Sequence, residues 1–183
     1  MTPTPVWKPA LLGQYGGALD MLENAMRACP DAVWADPADP VERQFWYLAF
    51  HTLFWHDHYV GTSDRGYAPP APFTLDEMDP AGIYPASPYS RDQLLAFLEH
   101  GRRRIRERIT QLTEAEAAER SGFARREISN LELLLYNLRH VQHHTAQLNL
   151  LLRQRTDSAP KWVGRGRDAP AGIPAKIGQI PAE

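Results

Sequence analysis

The stretch FWYLAFHTLFWHDHYV, residues 45–60, constrains the fold more than any other part of the sequence. From Phe45 to Tyr59 it is apolar on nearly every side of a helix. Such a helix belongs in the middle of a domain or against a partner subunit. No alternation of period two persists long enough elsewhere in the chain to predict a sheet. The elements that cover this helix are therefore expected to be helices as well.

Helical periodicity of apolar residues appears in three further long segments. The first covers about residues 8–28, where three glycines weaken the helix but also permit close helix approach. The next runs from Ser90 to about residue 112, and the last from Arg126 or Ser129 to about Arg155. A short helix is predicted between them, after Thr113.

Capping patterns predict where several of these helices begin. Ser90 with Gln93 forms a capping box, and Thr113 caps toward Glu116. For the apolar second helix, we expect an N-cap residue followed by proline at the first helical position and an acid at the third. The residues that fit this pattern are Asp39, Pro40 and Glu42.

Residues 62–89 hold six prolines and little periodicity, so they form a long crossover after the second helix. A loop of this length is either a lid or rim of a functional site or a plain connection between parallel helices, and the second is the simpler interpretation. Four principal helices with this crossover predict an all-α four-helix bundle at residues 1–155.

Residues 156–183 form an irregular tail rich in proline and glycine. Its apolar content exceeds what a free tail needs, and we expect part of it to pack on the body of the protein or on a partner. The apolar residues concerned are Trp162, Ile173, Ile177 and Ile180.

Composition excludes several classes of function. The formal net charge is −2, which shows no electrostatic footprint for nucleic acid or an acidic membrane surface. The chain has neither a secretory signal nor a run of about 18 apolar residues, so no membrane span is expected. Its single cysteine, Cys29, excludes an internal disulfide and fits a reducing cytoplasm. We interpret Cys29 as a packed small residue rather than a nucleophile.

Three histidines lie close together in the last helix, in LRHVQHHTAQLNLLLRQ. At about 100° per residue, His140 and His144 share one side of that helix, at or within its buried face. His143 points away from the leucines and is expected to face solvent. A histidine pair at this spacing can reach one metal ion, but the spacing alone is a weak signal.

The second helix carries His51, His56 and His58. Seven residues of helix place His51 and His58 about 10 Å apart, so one mononuclear site cannot easily use both. His51 lies in an apolar stretch, where an unsatisfied polar group costs about 1–3 kcal/mol. Ligation of one metal by three neutral imidazoles would satisfy it together with the pair in the last helix. His56 and His58 are expected at the rim or exposed, and His100 at the surface.

The segments FWYLAFHTLFWHDHYV and RHVQHHTAQLNLLLR resemble the two characteristic segments of the DinB/YfiT-like superfamily. The resemblance covers about residues 8–155 and implies a four-helix bundle with a divalent metal, commonly nickel or zinc. The ligands it implies are one histidine from the second helix and two from the fourth: His51, His140 and His144. Ala146 stands where the family more often has glycine.

Three protein ligands leave open metal positions, as at a catalytic site. The resemblance implies a metal-dependent thiol transferase or hydrolase acting on a small molecule or thiol. Such an enzyme needs an opening at the metal, which we expect residues 62–89 to rim. The alternative is a non-catalytic metal- or small-molecule-binding bundle of stress-associated type, whose metal is sealed by a fourth protein ligand. A third alternative is that the histidines bind nothing.

The sequence identifies no general base. The nearest acids are Asp57 and Glu132, and Gln44 and Asn137 are candidates to orient a ligand or water. A solvated or capping role is the simpler interpretation for all four. Trp46 and Trp55 line either a pocket or the core. The apolar second helix and the apolar tail together predict a homodimer.

Overall fold

The computed structural model describes residues 5–167 and is entirely helical in its regular structure over that range. Within these residues no strand forms, and two isolated bridges join Ser63 to Gly122 and Arg120 to Ser129. The predicted all-α class is therefore confirmed. The helices are α1 (Trp7–Ala28), α2 (Asp31–Trp34), α3 (Phe45–Val60), α4 (Arg91–Gln111), α5 (Glu114–Ala118) and α6 (Asn130–Thr156), with 3-10 turns at Val41–Arg43 and Asp76–Met78.

Capping boxes open the three helices that follow the crossover. Ser90 and Thr113 each accept a hydrogen bond from the backbone N–H three residues later, as the sequence predicted. Ser129 does the same for α6, so that helix begins after Ser129 and not near Arg126. These caps satisfy N–H groups that would otherwise lack a partner, and they set the helix start and hence which side chains share a face.

The predicted start of the second helix at Asp39 is wrong. Residues Val41–Arg43 form a 3-10 turn, and extended backbone at Gln44 separates that turn from α3. Asp39 is not available as a cap because its carboxylate pairs with Arg155 at the end of α6. An ion pair to a distant helix has therefore replaced the local capping bond.

The apolar helix α3 packs against both α4 and α6, and α1 packs against the same two helices. Twelve of the sixteen α3 residues are buried by the chain itself. The all-round apolar character of α3 is thereby explained without a partner subunit. The homodimer stays a prediction.

His56 is fully buried, which corrects the expectation of an exposed or rim position. Its Nδ1 lies 3.2 Å from Oδ1 of Asn137 on α6, and the Asn137 side-chain amide donates to the His56 carbonyl. On the opposite side α4 approaches so closely that a Cβ at Gly101 would lie 2.8 Å from Cδ2 of His56. Gly101 is therefore required by the packing of this ring.

We expect Gly101→Ala to destabilise the protein by about 1–3 kcal/mol, because the enclosed ring cannot move away from the added methyl group. Intrinsic helix propensity alone would give the opposite sign, a stabilisation of about 1 kcal/mol. The free energy of urea unfolding distinguishes the two. A variant more stable than wild type would contradict the packing argument.

The last described residues of the tail, up to Arg167, lie on α1. The Gly166 N–H donates to the Gly13 carbonyl at 3.0 Å, and a Cβ at Gly16 would lie 2.9 Å from the Gly166 Cα. Arg167 pairs with Glu23 of α1 at 2.7 Å. The glycines that weaken α1 by propensity thus admit the tail backbone.

The apolar residues of the tail were predicted to pack on the body of the protein or on a partner. Trp162 is 68% exposed, so it does not pack on the body. The predicted contacts of Ile173, Ile177 and Ile180 lie outside the described residues. Over the range that is described, no helix is long and apolar enough to cross a membrane.

Cys29 is buried just after α1. Burial raises the pKa of its thiol to about 12, so the sulfur stays protonated at neutral pH. A protonated, inaccessible thiol is a poor nucleophile, which agrees with the interpretation of Cys29 as a packing residue.

Candidate metal centre

The adjacent helices α3 and α6 bring His51, His140 and His144 together. One ring nitrogen from each histidine lies within 4.8 Å of those of the other two. Ring centroids are 4.7 Å apart for His51 and His144, 4.5 Å for His140 and His144, and 5.5 Å for His51 and His140. Two histidines one turn apart on α6 and a single histidine of α3 thus form one cluster.

Glu77 determines which nitrogen His51 presents. Its Oε2 lies 2.8 Å from Nδ1 of His51 and accepts a second hydrogen bond from Nε1 of Trp55 at 2.9 Å. Burial alone would raise the pKa of Glu77, but hydrogen bonds from His51 and its neighbours outweigh burial and lower it. An ionised carboxylate only accepts, so Nδ1 of His51 carries the proton and Nε2 keeps its lone pair.

The two α6 histidines are also suited to metal binding. Nδ1 of His144 lies 2.6 Å from the amide oxygen of Gln147, which again leaves Nε2 as the free acceptor. Nδ1 of His140 is buried and has no hydrogen-bond partner. Burial, and then the neighbouring histidines, lower the pKa of His140 to about 3, and burial also lowers the pKa of His144. Both rings are therefore neutral at neutral pH, the form that binds a metal.

The donor set fits a divalent ion. Zinc–nitrogen bonds of about 2.0–2.1 Å place two ligand nitrogens no more than about 4.2 Å apart. Nitrogens already within 4.8 Å reach that range by small side-chain rotations. An ion bound by Nδ1 of His140 would also give that buried, unpartnered nitrogen a partner and so remove the cost of an unsatisfied group.

An open cavity of about 570 Å³ adjoins the cluster at His140. Its described lining comes entirely from α6 and not from residues 62–89, which were expected to rim the opening. The crossover instead supplies Glu77. His143 faces solvent as predicted and lines this cavity beside His140. The lining residues are Tyr136, Arg139, His140, Gln142, His143 and Ala146.

The sequence matches the family model of the DinB superfamily over residues 14–148. The chain belongs to the DinB superfamily. The match includes all three clustered histidines and most of α6, and it confirms the resemblance stated from the two helical segments. No curated protein and no solved structure shows a significant match.

In this DinB chain the acids nearest in sequence to the histidines do not join the cluster. Asp57 is 1% exposed and turns toward α4, where it pairs with Arg104 and contacts His100. Its predicted solvated role is wrong, because its position on α3 faces a helix that brings an arginine. Glu132 completes the capping box of α6, as the simpler interpretation held.

The remaining residues considered from the sequence lie outside the histidine cluster and contact other parts of the protein. Gln44 accepts a hydrogen bond from buried Trp46, and Asn137 holds His56. Trp55 is half-buried and serves the centre indirectly, by donating to Glu77. His58 is buried, contrary to the expectation of a rim position, and His100 is partly exposed beside Asp57.

Glu77 is the residue that sequence reasoning missed. It lies in a proline-rich crossover, 26 residues after His51, on a 3-10 turn with no periodic pattern. No spacing rule links such a position to a helix, so nothing in the sequence singled it out.

Proposed function

We propose that this DinB protein holds a divalent metal ion, nickel or zinc, through His51, His140 and His144, and acts as a metal-dependent transferase or hydrolase on a small molecule or thiol. The observation that carries the proposal is the convergence of three imidazoles in which two rings have Nδ1 bound to an oxygen and the third has an unpartnered Nδ1. Family membership supports metal binding but does not select a reaction.

The number of ligands supports a catalytic rather than a closed structural metal. Among the described residues, no fourth histidine, cysteine, aspartate or glutamate belongs to the cluster. Three protein ligands leave positions for water or substrate. The ion, when bound, would supply Lewis acidity or lower the pKa of a bound water or thiol.

Other residues of the protein would orient the metal ligands and bind the substrate. Glu77 holds the His51 ring, and Gln147 holds the His144 ring. Beside the cavity, Arg126 stacks over Tyr136 at 4.0 Å from the ring centroid and donates to the Tyr59 hydroxyl. This wall is positively charged and aromatic, which suits a small molecule with an apolar part and an anionic group.

The proposal also covers the domain organisation and the oligomeric state of the protein. The mutual packing of α1, α3, α4 and α6 supports a four-helix bundle at residues 1–155. Residues 156–183 belong to the proposal as an irregular tail that packs on the body of the protein or on a partner. A cytoplasmic homodimer is part of the same proposal. Sedimentation at micromolar concentration is expected to show the dimer, and a monomer alone would remove that part.

Metal analysis tests the centre. Wild-type protein purified without a chelator or a nickel column is expected to hold about one ion per chain. His51→Ala and His144→Ala should each lose most of it, since two imidazoles bind far more weakly than three. His143→Ala is the matched control, because it removes an exposed imidazole from the same helix and should keep the wild-type content.

Unchanged metal content in both His51→Ala and His144→Ala would contradict the proposed ligands. A metal that is retained with no turnover of thiol or ester substrates would favour the non-catalytic bundle instead. The open cavity at His140 is the observation that favours the enzyme.

A further inference from the structure

A second cavity, of about 410 Å³, lies at the carboxyl end of α3. We call it the α3-end cavity. It shares no lining residue with the cavity beside the histidine cluster. Its wall consists of His58 and Gly61 at the end of α3, parts of residues 62–70, and His100 and Arg104 from α4. Two segments separated in sequence, residues 58–70 and α4, thus build one polar recess.

His58 is the least explained side chain in this wall. It is 2% exposed, and its Nδ1 is buried with no hydrogen-bond partner. Four aromatic rings surround it, with centroids 4.7 to 5.5 Å away, from Tyr67, Phe123, Trp55 and Tyr59. A phenylalanine would fill the same space without the cost of an unsatisfied buried nitrogen, about 1–3 kcal/mol. The imidazole therefore calls for a polar partner that the described residues do not supply.

Positive charge is present on the same wall. Arg104 uses Nη1 to bind the carbonyl and carboxylate of Asp57, and its Nε and Nη2 have no partner among the described residues. Arg65 is exposed at the rim, with no partner for its side chain in the part of the chain described. Guanidinium N–H groups are strong donors that bind carboxylate and phosphate oxygens.

Two carboxylates lie near the cavity, and each accepts hydrogen bonds from the protein. The Asp57 carboxylate is buried and is shared by Arg104, His100 and the Tyr67 hydroxyl. The Asp64 carboxylate accepts from the Ala124 backbone N–H on a neighbouring segment. Hydroxyl groups of Thr62 and Ser63 add further donors to the lining. The two lining residues that carry a fixed charge, Arg65 and Arg104, are both cationic.

We propose that the α3-end cavity binds a small molecule through a carboxylate or phosphate group, with Arg65, Arg104 and His58 as the recognising side chains. The site is independent of the histidine cluster and does not require a metal. Its volume suits one small metabolite rather than a macromolecular segment.

Nuclear magnetic resonance of nitrogen-15-labelled full-length protein tests this directly. Inorganic phosphate and acetate are titrated separately, with sodium chloride adjusted to hold ionic strength constant. The His58 ring nitrogens and the Arg104 Nε–H are expected to shift saturably with at least one probe, with a Kd on the order of 1 mM.

Two variants and one control make the test specific. Arg65→Ala removes an exposed donor, and His58→Phe keeps the ring shape while removing both nitrogens. Each is expected to weaken binding about tenfold, the loss of one charge-assisted or buried hydrogen bond. Arg103→Ala removes the same charge from an exposed position on α4 outside the cavity and should bind as wild type does.

Each outcome bears on the proposal. A shift with phosphate alone, acetate alone or both supports it and identifies the anionic group. No saturable shift with either probe would overturn it, as would equal weakening by Arg65→Ala and Arg103→Ala. His58→Phe has a second readout, because a histidine without a ligand role predicts wild-type affinity together with a raised melting temperature.

Discussion

Glu77→Ala is expected to weaken metal binding about ten- to a hundredfold, although Glu77 is not itself a proposed ligand. Its carboxylate fixes the proton on Nδ1 of His51 and holds the ring through a 2.8 Å hydrogen bond. Without it, His51 is free to rotate and to adopt the other tautomer, and the Trp55 N–H loses its partner. The three-histidine cluster would then need to be ordered by the ion itself.

Competition titration with a chromophoric zinc chelator measures this affinity. Asp76→Ala is the matched control, since Asp76 lies in the same 3-10 turn and its carboxylate bonds only to Thr74 in the described contacts. Glu77→Gln should fall between wild type and Glu77→Ala, because an amide oxygen still accepts from His51 but carries no charge. Equal affinity of Glu77→Ala and wild type would show that His51 needs no orienting partner.

Arg104→Met is expected to destabilise the fold by about 3 kcal/mol. The Asp57 carboxylate is 1% exposed on α3, and Arg104 is its main cationic partner. Removing one member of a buried pair leaves the other charge uncompensated, at a cost of about 3–5 kcal/mol. We place the effect at the lower end because His100 and the Tyr67 hydroxyl still contact Asp57.

Urea unfolding at neutral pH measures the change in free energy. The double variant Asp57→Asn/Arg104→Met should recover much of the loss, because it removes the buried charge together with its partner. Arg103→Met, an exposed neighbour on α4, should stay within about 0.5 kcal/mol of wild type. A single Arg104→Met variant as stable as Arg103→Met would contradict the importance of the pair.

The helices were largely predictable because their signals are local. The predicted capping patterns at Ser90 and Thr113 depend on residues three positions apart, and both form. The start of α3 was not predictable in the same way. There the local pattern at Asp39 competed with a distant arginine, Arg155, which only the tertiary structure brings close.

The histidines of α3 also divide into one that the sequence predicted correctly and two whose positions depend on tertiary contacts. His51 was selected because its apolar neighbours demanded a partner and because the family resemblance supplied one. His56 and His58 were expected at the rim or exposed, yet both are buried. Burial was decided by α4 and by the aromatic residues of the crossover and the segment before α6, whose positions no helical periodicity on α3 reveals.

By itself, the sequence determined the all-α class, because helical period and capping are properties of neighbouring residues. The DinB membership and the three histidines that meet between α3 and α6 followed from the family resemblance of two segments, and spacing alone would not have selected them. Only the tertiary structure decided that Glu77 orients His51, that Asp57 is buried against Arg104, and that His58 lines a cavity with Arg65. Those contacts join residues across a proline-rich crossover and between separate helices. Their formation depends on how the whole chain packs, and no local pattern encodes it.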